Sequence, residues 1–87
     1  MQIILENKAR KNLKKLYKAD KKLHNKIIET IEKYAENPQG NFDVSFLSGK
    51  ENFRRMRIGS YRIVFEFIEN TMVIYNLDKR GNIYKDL

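Results

Sequence analysis

The sequence predicts an α+β fold: a short N-terminal strand, an αα-hairpin, then a three-stranded antiparallel meander with the helices on one of its faces. Three observations carry this. Apolar side chains recur at helical spacing between Asn7 and Ala35, the pattern switches to period two after Gly40, and Asn37-Pro38-Gln39-Gly40 separates the two regimes. At 87 residues the chain forms one domain, spanning 1–87, and a hydrophobic fraction of 41% supports one core.

Gln2-Ile3-Ile4-Leu5 is apolar and β-branched enough for a first strand. Asn7 is placed to cap a helix in which Ala9, Leu13, Leu16 and Tyr17 share a face, while Lys8, Lys11, Lys14, Lys15 and Lys18 take the wetter positions. Ala19-Asp20 breaks that helix. Asp20 is the expected N-cap of the next, which is striped by Leu23, Ile27, Ile31, Tyr34 and Ala35. Pro38 disfavours a helical conformation at Asn37 and so ends it. Two one-sided helices with so short a break make a hairpin. After Gly40, residues 52–58, 61–68 and 71–79 alternate, joined by the two-residue turns Gly59-Ser60 and Glu69-Asn70. The first turn has the glycine that a tight primed turn prefers; the second is weaker.

Composition narrows the function. With no cysteine there is neither a disulfide framework nor a thiolate metal site, as expected in a reducing cytoplasm. Apolar runs are four residues or fewer and span no membrane, and Met1-Gln2-Ile3-Ile4-Leu5 lacks the features of a signal peptide, so the expected location is cytoplasmic. Eighteen Lys and Arg against eleven Asp and Glu give a net charge of +7. A field of that sign attracts polyanions, of which nucleic acid is the commonest in cytoplasm. Lysine on helices also serves solubility alone. The arginines are distributed differently.

A side-chain period of two sorts the meander into faces. Arg54, Met56 and Ile58 go with Tyr61, Ile63, Phe65 and Phe67, and with Val73, Tyr75 and Leu77, as the set beneath the helices; Arg54 is expected to snorkel at its edge. The other set holds Phe53, Arg55, Arg57, Arg62, Val64, Glu66, Ile68, Met72, Ile74, Asn76, Asp78 and, if the last strand continues, Arg80. Four of the six arginines fall on this face, whereas most of the twelve lysines sit on helices. Arginine presents a planar, permanently charged fork suited to phosphate; lysine is a hydrated point charge. The bland alternative is cross-strand pairing of Arg55 and Arg62 with Glu66 and Asp78. It explains single arginines better than all four. Val64, Ile68, Met72 and Ile74 are too apolar for a bare surface and call for cover, by the C-terminal segment or preferably by a partner's helix. His24, the only histidine, fits a helix surface, and no ligand set suggests a metal or another cofactor.

The stretch Phe42-Asp43-Val44…Leu47-Ser48-Gly49, followed by Phe53-Arg54-Arg55-Met56-Arg57-Ile58-Gly59-Ser60-Tyr61-Arg62-Ile63-Val64-Phe65, resembles the signature of the RelE/ParE toxin superfamily: a leucine-x-glycine turn, a basic strand, a tight turn and a Tyr-Arg-(Ile/Leu)-Val strand. The order of elements is similar along the whole chain. Lys79-Arg80-Gly81-Asn82-Ile83-Tyr84 is similar to the tail of the RelE branch. The resemblance implies a RelE-like fold and the toxin of a type II toxin-antitoxin system. It would cleave mRNA in the ribosomal A site without a metal and be silenced by a RelB-like antitoxin.

By the same resemblance, Arg62 and Arg80 match the arginines that stabilise the phosphate transition state, Tyr84 the tyrosine that stacks on a substrate base, and Arg55 a basic residue of the active site. Arg57, Lys79 and Lys85 are the expected further RNA contacts. Phe53 departs from the pattern, standing where a well-known branch member has a second lysine, and so removes one candidate base. Metal-free cleavage uses the RNA's own 2′-OH as nucleophile, for which Glu66, Asp78, Lys79 and Tyr84 remain as proton-transfer candidates. Two rivals follow: a ParE-like inhibitor of DNA gyrase on the same fold, and a non-catalytic RNA- or ribosome-binding module whose arginines contact phosphate only. In either toxin reading the partner is a short acidic antitoxin that folds onto the apolar patch and basic face.

Overall fold

The computed structural model describes residues 1–47, 49 and 52–83. Strand β1 (Gln2–Leu5) leads into helices α1 (Asn7–Ala19) and α2 (Lys21–Glu36). Strands β2 (Val44–Phe46), β3 (Arg54–Ile58), β4 (Tyr61–Ile68) and β5 (Thr71–Lys79) follow, and a single helical turn, α3 (Arg80–Ile83), succeeds β5. The five strands form one sheet in the order β1-β5-β4-β3-β2, with β1 parallel to β5 and every other pair antiparallel. The expected α+β class and element order hold, and β2 is an additional edge strand of three residues.

The helix boundaries follow local chemistry. Asp20 caps α2, its carboxylate accepting from the Leu23 N–H at 3.1 Å, and α2 stops one residue before Asn37, ahead of Pro38. Asn7, expected as a cap, is instead the first residue of α1, and Glu6 holds the cap position without a side-chain bond. The cause is the sheet: the Glu6 N–H donates to the Ile74 carbonyl at 2.9 Å, so β1 pairing keeps Glu6 extended. Strand β3 begins at Arg54 rather than at residue 52 because Asn52 has φ 72, which no pleated strand accommodates. Gly59 opens the β3–β4 turn at φ 59, and Glu69 opens the β4–β5 turn at φ 55, where a side chain is disfavoured.

One irregularity decides what faces the helices. Along β4 and β5 the register runs Arg62↔Asp78, Ile63↔Leu77 and Val64↔Asn76, then jumps to Phe65↔Ile74, so Tyr75 is an extra residue in a β-bulge. An added residue reverses the inside–outside phase of everything beyond it. Met72, Ile74 and Leu77 therefore all enter the helix-side core, with Ala9, Leu13, Leu16, Ile27, Ile31, Met56, Ile63 and Phe65. The uninterrupted alternation expected for this strand is corrected here: Met72 and Ile74 are core, and Val73 and Tyr75 lie on the other face. Tyr34 of α2 sets its ring against Phe42, Phe65 and Phe67 at 5.1, 5.4 and 5.9 Å. Arg54 snorkels as expected at the edge of this layer, its guanidinium 5.0 Å from the Phe46 ring and 4.9 Å from that of Phe67.

Candidate functional site

The sheet face turned away from the helices is built from cross-strand rows. Register places Arg57 opposite Arg62 and Arg62 opposite Asp78, and the adjacent row of the same face places Arg55 opposite Val64. Strand alternation thus brings Arg55, Arg57 and Arg62 onto one face, as the sequence predicts. Arg80 does not continue the alternation, because the strand ends at Lys79 and Arg80 starts α3. It is nonetheless held at the same end of the sheet: its backbone N–H donates to the Ser60 carbonyl in the β3–β4 turn at 3.1 Å. Lys79 is exposed and pairs in register with Tyr61. Tyr84 and Lys85 lie outside the described residues.

The three strand arginines have different surroundings. Arg62 is 6% exposed and donates to the Tyr61 carbonyl at 3.3 Å. A guanidinium has five N–H donors in a rigid fork, so one backbone contact commits little of its capacity. Arg57 leans outward, its Nε donating to Asp43 Oδ2 at 2.6 Å, in an ion pair about half exposed on both sides. Arg55 donates to the Ser45 hydroxyl at 2.9 Å. Glu66, the acid expected as a cross-strand partner of Arg55, accepts from the Tyr75 hydroxyl. Ser45 and Asp43, which Arg55 and Arg57 bond, lie in β2 and just before it, a strand whose signal, the alternation Asp43-Val44-Ser45-Phe46, is only four residues long.

Beyond the Arg55 row lies an aromatic group absent from the expected site. The Phe53 ring stacks on that of Tyr75, centroids 5.0 Å apart and planes 16° from parallel. Extending the Arg54↔Phe65 register by one residue sets Phe53 beside Glu66. Tyr75 thus stacks on one side chain of this group and donates to the other. Its hydroxyl pKa is pushed up to about 12, chiefly by that donation to Glu66, with burial and the carboxylate's charge adding to it. Tyr61 is raised too, by burial first and then by the charges of Asp78 and Asp20. Val64 is fully buried and Val73 nearly so, so the expected bare apolar patch reduces on this face to Ile68, which is 48% exposed.

At the edge of the same end of the sheet, the Asn12 amide on α1 donates to the Asn76 side chain and to the Leu77 carbonyl, both at 2.9 Å, pinning β5 next to the Arg62 row. His24 lies on α2 with its ring edge-on to Tyr17 at 5.1 Å. Among the described residues, no group of three or more His, Asp or Glu side chains converges as a metal site would require.

A rigid sheet face with a buried arginine, two further arginines within a strand's width and an aromatic pair beside them is suited to holding an anion and positioning what is attached to it. Comparison with known proteins agrees with this architecture. The sequence model described as the ParE toxin of type II toxin-antitoxin systems, parDE, matches residues 3–84. A putative toxin RelE1 from Methanocaldococcus jannaschii is 27% identical over 84 residues, covering 94% of this chain and 92% of that one. The RelE–RelB toxin-antitoxin complex from Methanococcus jannaschii superposes with a TM-score of 0.75 at 23% identity, covering 97% of this chain and 98% of that chain. The YoeB dimer from Staphylococcus aureus gives 0.76 at 22% identity, covering 87% and 92%. The chain belongs to the ParE toxin family of the RelE/ParE superfamily and is the toxin of a type II toxin-antitoxin system.

Proposed function

We propose that this toxin is a metal-independent endoribonuclease that cleaves mRNA in the ribosomal A site and so inhibits translation. The observation that carries the reading is the direct opposition of Arg57 and Arg62 across β3 and β4. Like charges facing each other on a sheet are destabilising; Asp43 compensates Arg57, and an anion seated on the row does the same for the buried Arg62. In the proposed reaction the 2′-OH attacks the adjacent phosphorus, the P–O5′ bond breaks, and a 2′,3′-cyclic phosphate and a 5′-OH result. Arg62, Arg80 and Arg55 stabilise the negative charge gathering on the non-bridging oxygens, which is commonly the largest catalytic contribution. Arg57, Lys79 and Lys85 bind the flanking RNA, and Tyr84 stacks on a substrate base. Proton transfer falls to Asp78, Lys79, Tyr84 or Glu66, the last of which accepts from Tyr75 and lies four residues along β4 from Arg62.

Purified ribosomes programmed with a short message test this. The proposal expects a cut within the A-site codon bearing a 5′-OH end, with metal chelation leaving the rate unchanged. The match to a ParE family model favours a second reading, inhibition of DNA gyrase. It expects intact message and a block in gyrase supercoiling. The partner proposed for either reading is an acidic RelB-like antitoxin; relatives solved with RelB and with YefM antitoxins support it.

A further inference from the structure

Glu66 is the one acidic residue in the stretch of β3 and β4, and its carboxylate accepts from a neutral tyrosine. A carboxylate on a face that attracts phosphate works against that attraction unless it meets donors of its own. The Phe53–Tyr75 stack lies alongside it, with both rings half-buried rather than sealed in a core. Phe53 is two strand positions from Arg55, roughly 7 Å along the sheet, which is about the reach from a phosphate to a neighbouring nucleotide's base.

We propose that Phe53, Tyr75 and Glu66 form a nucleobase subsite on the arginine face, in which the aromatic pair stacks a base and Glu66 reads its Watson–Crick edge, favouring guanine. The inference rests on the reading that single-stranded RNA lies on this face. Aromatic side chains on a sheet hold unpaired bases of any type, because every base has a π-face. Selectivity comes from the carboxylate, which only accepts hydrogen bonds. Tyr75 donates to Oε1, and because each carboxylate oxygen has two lone pairs, both oxygens can still accept from a ligand. Guanine offers two adjacent donors, N1–H and the 2-amino group, whereas uracil offers the single N3–H. The Tyr75 hydroxyl, a donor at neutral pH as any tyrosine's is, fixes the carboxylate's orientation.

The test uses the full chain at low salt and five-nucleotide RNAs, 2′-O-methylated throughout so that they cannot be cut. One is all uridine and the other carries a central guanosine. The subsite predicts roughly tenfold tighter binding of the guanosine oligomer. Glu66→Gln abolishes the difference, the uncharged amide holding all-uridine RNA at least as tightly as the wild type does, and Phe53→Leu weakens both oligomers by roughly tenfold. Thermal unfolding of each variant checks that the face is intact. Equal binding of the two oligomers by the wild type, a guanosine preference that survives Glu66→Gln, or unaltered binding by Phe53→Leu overturns the proposal and leaves the trio a purely structural cluster. Because the oligomers are uncleavable, a preference found without any cutting of natural message sinks the nuclease reading and leaves this subsite standing.

Discussion

Arg57 and Arg62 occupy directly opposed positions on β3 and β4, yet they resolve their repulsion in different directions. Arg57 turns out to Asp43 at the sheet edge, and Arg62 stays within the sheet against the Tyr61 carbonyl with Asp78 next in register. The buried member is thereby held in place by the fold, while the exposed one is tethered by a pair that water can open. Such a row is preorganised on one side and adaptable on the other, which suits an anion whose charge grows during a reaction.

Arg62→Ala and Arg80→Ala are each expected to lower single-turnover cleavage on programmed ribosomes by roughly 10²–10³-fold, the usual loss for one donor at developing charge. Arg62→Lys restores the charge without the fork and recovers only part of the rate. Thermal unfolding of all three variants separates this from loss of fold. Full activity in both alanine variants removes the arginines from the chemistry.

Asp43→Ala breaks an ion pair whose two side chains are 56% and 52% exposed. Its stability cost is therefore about 0–1 kcal/mol. Freed from its tether, Arg57 becomes available to phosphate, so affinity for single-stranded RNA at low salt rises and its salt dependence steepens. An equilibrium titration at two ionic strengths checks both effects.

The Tyr75 hydroxyl, ordinarily near pH 10, titrates at about 12 in the folded chain because ionisation costs its bond to Glu66. A pKa raised on folding stabilises the protein fully below the unfolded value. That contribution is lost as pH climbs from 10 towards 12. Ultraviolet titration of tyrosinate should show a late-ionising group that disappears in Tyr75→Phe, and alkaline unfolding of that variant should depend less steeply on pH across this window. A titration curve unchanged by the substitution would contradict the assignment.

Asp20 joins the two helices by capping α2 through the Leu23 N–H. Asp20→Ala is expected to cost about 1 kcal/mol. For a domain of this size that lowers the melting temperature by roughly 4–8 °C, without altering the sheet face.

Much of this was legible in the sequence because period and punctuation are local properties. The helical stripes, the Asp20 cap, the stop before Pro38 and the Gly59-Ser60 turn each depend on a handful of consecutive residues. The grouping of Arg55, Arg57 and Arg62 was legible for the same reason, since no irregularity interrupts β3 or the first half of β4. What could not be read was the extra residue at Tyr75. A bulge is a relation between two strands, and Tyr75 looks apolar enough for the core position that strict alternation gives it. Its consequence was large: Met72 and Ile74 moved into the core, and the Phe53–Tyr75–Glu66 group came together on the other face. The displacement of the cap from Asn7 to Glu6 has a similar origin, a backbone bond to Ile74 far along the chain. Arg80 falls between the two cases. The turn that lifts it out of the strand is local, but its docking on Ser60 is not.

If the Arg57–Arg62 row serves the breaking of RNA, loss of Arg62 must stop the cutting. Transcript 5′ ends mapped minutes after induction, in cells expressing either the wild type or Arg62→Ala at equal level and stability, test it most directly. New 5′-OH ends within translated codons are expected for the wild type, and their loss in the variant. Growth arrest by the wild type with no new ends, or an unchanged set of ends in Arg62→Ala, would contradict it.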